Sequence, residues 1–355
     1  MKKLLLLTLL TLFIGCALAA DFDMGLVSYK SAFEIKNKNS QEMTLNFSLP
    51  DYEVLEEIQG GNTYHRILMP DSGTLMESGL PELPTISTSI AIPPTGRVNI
   101  QVQDSEYSIL NLFNAYPLQQ GQELDSPKGF VKNAAFYGAG SLYPSAQIEY
   151  SDPMILRELR IVTIQVNPFV YDPSTQQLRV YNNMQIKVNF TDEPGVNELS
   201  APVTYVSKSF ETIYDSFIQN FDDYRDLMFA STPPRYLLIY GNTTDATFLN
   251  ALNAYVLWKR QKGADVDIAT TAANSAGTST SSIQTYIRTR YNNTATRPDF
   301  VVLIGDTSGS FTIPCFTNNS GSTDYPYSFM NTGDMLGDVF IGRISVENSS
   351  QFLVI

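Results

Sequence analysis

Two hydrophobic periodicities divide this 355-residue chain, and they predict an all-β domain, a sandwich or barrel, followed by an α/β domain with a mostly parallel sheet. Up to about residue 205, apolar side chains alternate with polar ones: Leu45, Phe47 and Leu49; Val98, Ile100 and Val102; Met184, Ile186, Val188 and Phe190. Period two marks half-buried antiparallel strands. After residue 235 the pattern becomes short continuous apolar runs separated by stretches at helical spacing. Strands covered on both faces by crossover helices read this way.

Met1 to Ala20 has a two-lysine start, an apolar core from Leu4 to Ile14 and small residues at Ala17, Ala19 and Ala20. This is the pattern of a secretory signal peptide, cleaved near Ala19 or Ala20, and it is too short to span a membrane. The competing reading is lipidation at Cys16. The product is then secreted or held at the cell envelope, and no later segment reaches transmembrane length. Cleavage after Cys16 leaves Cys315 as the one thiol, and so no internal disulfide.

Residues 21–205 form the all-β domain. Turn signals at Pro70-Asp71-Ser72-Gly73, Pro93-Pro94-Thr95-Gly96 and Asp172-Pro173-Ser174-Thr175 separate its strands, and no helix is expected before about Ser207. Residues 206–234 read as a linker with a short helix over Ser209 to Tyr224, carrying Phe210, Ile213, Tyr214 and Phe217 on one side. Phe221 to Asp226 and Pro233-Pro234 then read as an exposed connector. In residues 235–355, Tyr236 to Tyr240 is a strand, Thr243, Thr244 or Asp245 caps a helix over 246–261, and Gly263 stops it. Ala264 to Ile268 completes a βαβ unit. Ser281 or Ser282 caps a second helix with Ile283, Ile287 and Tyr291 on one face. Phe300 to Ile304 and Val339 to Ile341 are further strands, closed by Gly305-Asp306 and Gly342-Arg343. Trp258 is expected to pack in the core.

The segments RYLLIYGN, LNAYVLWKRQKGADVDIAT, PDFVVLIGD, TDYPYSF and GDVFIGRISVENSSQF, in this order, resemble the opening of the peptidase domain of gingipain-type cysteine peptidases. Upstream, GLPELP, IAIPPTG, Tyr143-Pro144, Arg157 to Val166 and Tyr171-Asp172-Pro173 resemble gingipain-type propeptides. The resemblance implies a caspase-like α/β fold and peptide-bond hydrolysis by a Cys thiolate with a His partner. It implies that the β domain is a pro-domain covering the cleft of a zymogen, in contact with the peptidase domain, whose partners are protein or peptide substrates. The dyad of that family follows the Gly-Arg-Ile-Ser strand, so both residues are expected beyond Ile355. The alternative is a non-catalytic exported surface or binding protein that retains the scaffold.

No pair within the chain substitutes for that dyad. Nucleophile and base must share a site. The one histidine, His65, reads as a strand or turn residue, and Cys315 as a loop residue. One His and one thiol make no closed zinc site, and no His-Glu-x-x-His occurs. Asp306, Asp324, Asp334 and Asp338 leave room for structural calcium, which the resembled family binds, but their spacing names no ligands; the competing reading is a solvated acidic loop. Asp306 reads as a turn cap and Arg343 as the partner of an acidic loop. Formal charge is -13, and removal of Lys2 and Lys3 leaves 21 basic against 36 acidic residues, -15. Such a chain repels phosphate backbones, which argues against nucleic-acid binding.

Two further expectations concern processing and stability. Arg225 is the last basic residue before Pro233-Pro234 and sits among Asp222, Asp223 and Asp226, so a cut after it would separate the domains, with Arg235 as the runner-up. Ser345 to Ile355 begins a helix without the remaining sheet to cover. The chain alone is therefore expected to be inactive, and its C-terminal third, residues 235–355, to be unstable and prone to aggregate.

Overall fold

The computed structural model describes residues 30–119, 129–228, 232–318, 321–331 and 334–353. The leader, with Cys16, lies outside them.

Among the described residues the N-terminal part contains twelve strands: β1 (Phe33–Lys38), β2 (Glu42–Ser48), β3 (Glu53–Gln59), β4 (Asn62–Leu68), β5 (Gly73–Thr74), β6 (Pro84–Ala91), β7 (Arg97–Leu110), β8 (Ile148–Tyr150), β9 (Met154–Leu156), β10 (Leu159–Val166), β11 (Phe169–Asp172) and β12 (Gln177–Thr191). One antiparallel sheet runs β1-β2-β12-β11, with β7 also paired to β12; the other runs β5-β6-β10-β8, with β9 also on β10. The alternating residues of β2 and β12 (Leu45, Phe47, Ile186, Val188) meet those of β6 and β10 (Ile86, Ile90, Val162, Ile164) in one buried core. The domain is therefore a sandwich. β3 and β4 form a separate hairpin, on which Ile58 is 74% exposed. Contrary to the sequence reading, a helix does precede Ser207: α1 (Ala134–Ala139), begun by the Asn133 side chain accepting from Phe136 N–H and ended by Gly140 in the left-handed region. At six residues it is too short to show a period.

Residues 206–228 do not hang between the domains. A 3₁₀ turn, α2 (Glu211–Phe217) and a second 3₁₀ stretch, Phe221–Leu227, bury Val206, Phe210, Tyr214, Phe217, Ile218 and Phe221 against Leu156, Leu159 and Ile161 of the second sheet. Phe221, placed in an exposed connector by the sequence reading, is wholly buried. Its neighbours Asp222 and Asp223 misled that reading, because the charged residues face water while the aromatic ring turns inward.

The C-terminal part is a parallel sheet in the order β14-β13-β15-β18, comprising β13 (Arg235–Tyr240), β14 (Asp265–Thr270), β15 (Phe300–Ile304) and β18 (Phe340–Ile344). A small hairpin, β16 (Phe316–Asn318) and β17 (Gly321–Thr323), lies in the loop before β18. Helix α3 (Ala246–Gln261) starts at Asp245, whose carboxylate accepts from Thr247 and Phe248 N–H, and stops before Gly263 at φ +85. It packs Phe248, Leu252 and Val256 on one face of the sheet, and α4 (Thr280–Asn292) packs Ile283, Ile287 and Tyr291 on the other. The cap of α4 is Ser279, in a reciprocal pair with Ser282, two to three residues earlier than the sequence suggested. A last turn, α5 (Ser349–Phe352), sets Phe352 against Phe248.

Trp258 is not core: it is 44% exposed, tilted against Tyr255, with Lys259 and Lys262 over its ring. Gly342 and Arg343 lie inside β18 rather than closing it, paired with Val302 and Leu303. Among the described residues no helix is long and apolar enough to cross a membrane.

Candidate functional site

Ligands of open α/β sheets gather at the carboxyl ends of the strands. There Gly305 holds φ +152, and a Cβ on it would lie 2.1 Å from Phe311 O, so only glycine lets the chain turn. Asp306 accepts from Thr307 N–H and, at 2.8 Å, from the Ser345 hydroxyl, and these donors lower its pKa. Arg343 grips Asp324 with Nε and Nη2, both at 2.7 Å, and donates to Gly305 O and Ile313 O at 3.0 Å. Burial pulls its pKa down, but Asp324 outweighs burial and holds it above the ordinary value. Arg343 thus pins the loop that carries Cys315. His65 lies in the other domain, on β4, where Nδ1 accepts from Asn114 N–H and the ring stacks on Phe113. The structure places His65 and Cys315 in different domains, in structural surroundings.

The four aspartates proposed for calcium do not converge. Asp324 is held by Arg343, and Asp306 caps its turn. Asp334 accepts from Ile155 and Leu336 N–H. Asp338 is wholly buried, which corrects the picture of a solvated loop. Among the described residues no group of three or more metal-ligating side chains is placed to hold an ion.

The densest chemistry lies at the opposite, amino ends of the strands, where the two domains meet. β9 and β10 are joined by a two-residue turn, Arg157-Glu158, with Leu156 opposite Leu159. Two-residue hairpin turns need positive φ at their first residue, which favours Gly or Asn there. Here Arg157 takes it, at φ +56, at a strain of roughly 1 kcal/mol. Its backbone N–H donates to Asp338 Oδ1 at 2.7 Å, and its carbonyl accepts from the Tyr291 hydroxyl at 3.2 Å. Nη1 donates to Pro298 O and Asp338 O, both at 2.9 Å, and Nη2 to Asp299 Oδ1 at 2.7 Å. The guanidinium carbon lies 4.8 Å from the Phe210 ring centre. Nε is 2.7 Å from Glu158 Oε1 but poorly aligned, so that contact is electrostatic rather than a directed hydrogen bond.

Each carboxylate around Arg157 is anchored from a second direction. The Ser207 hydroxyl reaches Asp299 Oδ1 at 2.6 Å and Arg235 N–H reaches Oδ2 at 2.9 Å. The Tyr214 hydroxyl holds Glu158 Oε2 at 2.7 Å. Met330 and Asn331 N–H hold Asp338 Oδ2. Burial draws the Arg157 pKa down, while Glu158 and Asp299 more than reverse it. Burial lifts Asp338 to about 6 against its N–H donors. Beside this network a row of rings crosses the boundary. Tyr236, Phe300 and Phe340, in register on β13, β15 and β18, stack at 4.6 and 5.0 Å, and Phe210 continues the row at 4.4 Å from Phe340.

In the sequence Arg157 stands out only as part of a segment resembling the propeptides, and Asp299 and Ser207 carry no signal of their own. The available signal was three charged residues, Arg157, Glu158 and Arg160, set among Leu156, Leu159, Ile161 and Val162 at a turn that lacks Asn or Gly.

A sandwich with a helical appendix, clamped by buried charge onto a parallel α/β sheet, describes a two-part precursor. The model of the C25 propeptide matches residues 32–229 and that of peptidase family C25 matches residues 229–355. The chain belongs to peptidase family C25 and carries its propeptide followed by peptidase-domain sequence. It is 28% identical to Lys-gingipain of Porphyromonas gingivalis over 373 residues, covering 99% of this chain and 21% of that protein. To gingipain R2 of the same species it is 24% identical over 286 residues, covering 77% and 37%. The chain thus spans about a fifth of the Lys-gingipain relatives and under two-fifths of the other. Among solved structures, the complex of the pro- and mature domains of RgpB from Porphyromonas gingivalis matches at 22% identity and TM-score 0.48, over 54% of this chain and 97% of that one.

Proposed function

We infer that residues 30–228 are the pro-domain of an exported cysteine endopeptidase zymogen, and that they hold residues 235–353 through the Arg157 joint. The single observation that carries this reading is the joint itself: one pro-domain arginine, its side chain 1% exposed, tied through Asp299 and Asp338 to the starts of β13, β15 and β18. Peptide-bond hydrolysis by a Cys/His dyad outside residues 1–355 is the activity proposed for the whole protein. Membership of family C25 supports it. The leader pattern of residues 1–20 supports export.

Processing after Arg225 remains the proposal for release. Its guanidinium pairs with Glu211, Asp215 and Asp222 and lies over Phe221, so the 3₁₀ stretch must open before a protease can bind it extended. The runner-up, Arg235, has its N–H bound to Asp299 at the start of β13.

The test uses the precursor carried on through its whole peptidase domain. Thiol-dependent hydrolysis of peptide substrates should be low in the intact precursor and rise on cleavage, with a new N-terminus at Asp226 that Arg225→Ala abolishes. Equal activity before and after cleavage would refute latency. A mature N-terminus before Ser200 or after Tyr240 would refute the processing site.

A further inference from the structure

The joint is built as a recognition site for a whole arginine residue. On the peptidase side, Asp338 Oδ1 receives its N–H and the Tyr291 hydroxyl meets its carbonyl. Asp299 Oδ1, Pro298 O and Asp338 O converge on the two terminal guanidinium nitrogens. The Tyr291 ring lies 5.8 Å from the guanidinium carbon. Three oxygens around a planar fork suit arginine; a lysine ammonium is a point charge without that geometry.

These acceptors are held in place by groups that do not belong to the pro-domain. Asp299 Oδ2 is fixed by Arg235 N–H, and Asp338 Oδ2 by Met330 and Asn331. When residues 30–228 depart, Asp299 Oδ1 loses Arg157 and Ser207, and Asp338 Oδ1 loses the Arg157 N–H and keeps the Asn331 side-chain amide. A preorganised set of carboxylate and carbonyl oxygens with no cation is costly, and it favours a ligand that restores the lost bonds. Arg297, whose Nη1 lies 3.9 Å from Glu158, is tethered by Nε to Tyr291 O at 2.8 Å.

We propose that the amino ends of the peptidase strands form an arginine-recognition site, separate from the carboxyl-end region. It takes the Arg157 turn in the precursor and, after release, an arginine at the tip of a turn in another polypeptide. The second half rests on reading residues 30–228 as a removable pro-domain; the preference for arginine does not.

The first experiment keeps the chain whole. Arg157→Gly empties the site while allowing the positive φ of the turn. An open cleft of about 660 Å³, lined by Glu158, Thr232, Arg297 and Asp299 among others, gives small ions access. Thermal unfolding is followed with ethylguanidinium, ethylammonium or sodium chloride at equal ionic strength. The expected result is a saturable rise in midpoint with ethylguanidinium in Arg157→Gly, absent in the parent, and roughly tenfold weaker with ethylammonium. Equal responses to the two cations, equal responses in parent and variant, or no response because Arg297 has filled the space would each overturn the site. If Arg157→Gly fails to fold, Arg157→Lys decides: a midpoint equal to the parent would overturn the arginine preference, and a lower one would support it.

The second experiment uses full-length precursor cut at a protease site inserted between Met228 and Thr232. A cyclic peptide of residues 154–161 should displace the pro-domain on size-exclusion chromatography, and its version with lysine at 157 should do so at least about tenfold less well. Rescue by ethylguanidinium without displacement by the peptide would overturn binding in trans. A precursor whose activity is indifferent to the cut would instead count against the zymogen reading alone.

Discussion

The carboxyl group of Asp338 provides a sharp test of the joint. It is wholly buried at the start of β18, receives N–H groups from Arg157, Met330 and Asn331, and has Asp334 as a like-charged neighbour. Burial, reinforced by Asp334, outweighs the donors and lifts its pKa from 3.8 to about 6. Because the folded value is raised, the contribution of this group to stability is complete below about pH 3.8 and is lost as pH rises through about 6. A lift of roughly 2 units corresponds to about 3 kcal/mol in all, most of it falling between about pH 4 and 7. Other carboxylates, such as Asp306, have lowered values and act with the opposite sign. The readout is therefore a difference, the urea stability of the parent minus that of Asp338→Asn, with the single tryptophan, Trp258, as fluorescence probe. That difference should fall by about 2–3 kcal/mol from pH 4 to 7, just under about 1 M in urea midpoint for a slope of about 3 kcal/mol per M. A difference that stays level, or rises with pH, would refute the assignment of Asp338 as a carboxyl whose charge is disfavoured by the joint.

Other substitutions probe the remaining contacts. Tyr214→Phe removes the 2.7 Å donor to buried Glu158 and should cost about 1–3 kcal/mol, measured by urea unfolding. Arg343→Met should cost about 3 kcal/mol or more and speed amide exchange across residues 305–328, since Asp324 and two carbonyls lose their donor together. Gly305→Ala places a Cβ against Phe311 O at φ +152 and should cost more than about 2 kcal/mol, seen as a lower thermal midpoint; a change within error would show that the turn can relax.

Local patterns carried much of this architecture. The strand, helix and strand from Arg235 to Thr270 were legible because an apolar run, a capping Asp245 and a stopping Gly263 act within a few residues of one another. The sandwich strands were legible for the same reason, through their alternation. The joint was not. Arg157 and Asp299 are 142 residues apart, and a pair that distant leaves no periodicity on either side. The segment after residue 206 misled through its acidic residues, which are exposed on one side of a turn whose other side is buried Phe221. Trp258 misled because its size suggests burial, whereas two lysines cover it at the surface.

The distance between Arg157 and its acceptors also orders events in time. At about 5–20 residues per second, translation needs roughly 7–30 s to pass from Arg157 to Asp299. The strands that pair to present the Arg157 turn, β9 and β10, are complete by Val166. In the folded chain that turn holds Arg157 at φ +56. The arginine-bearing half of the joint is thus always synthesised before the acidic half that receives it.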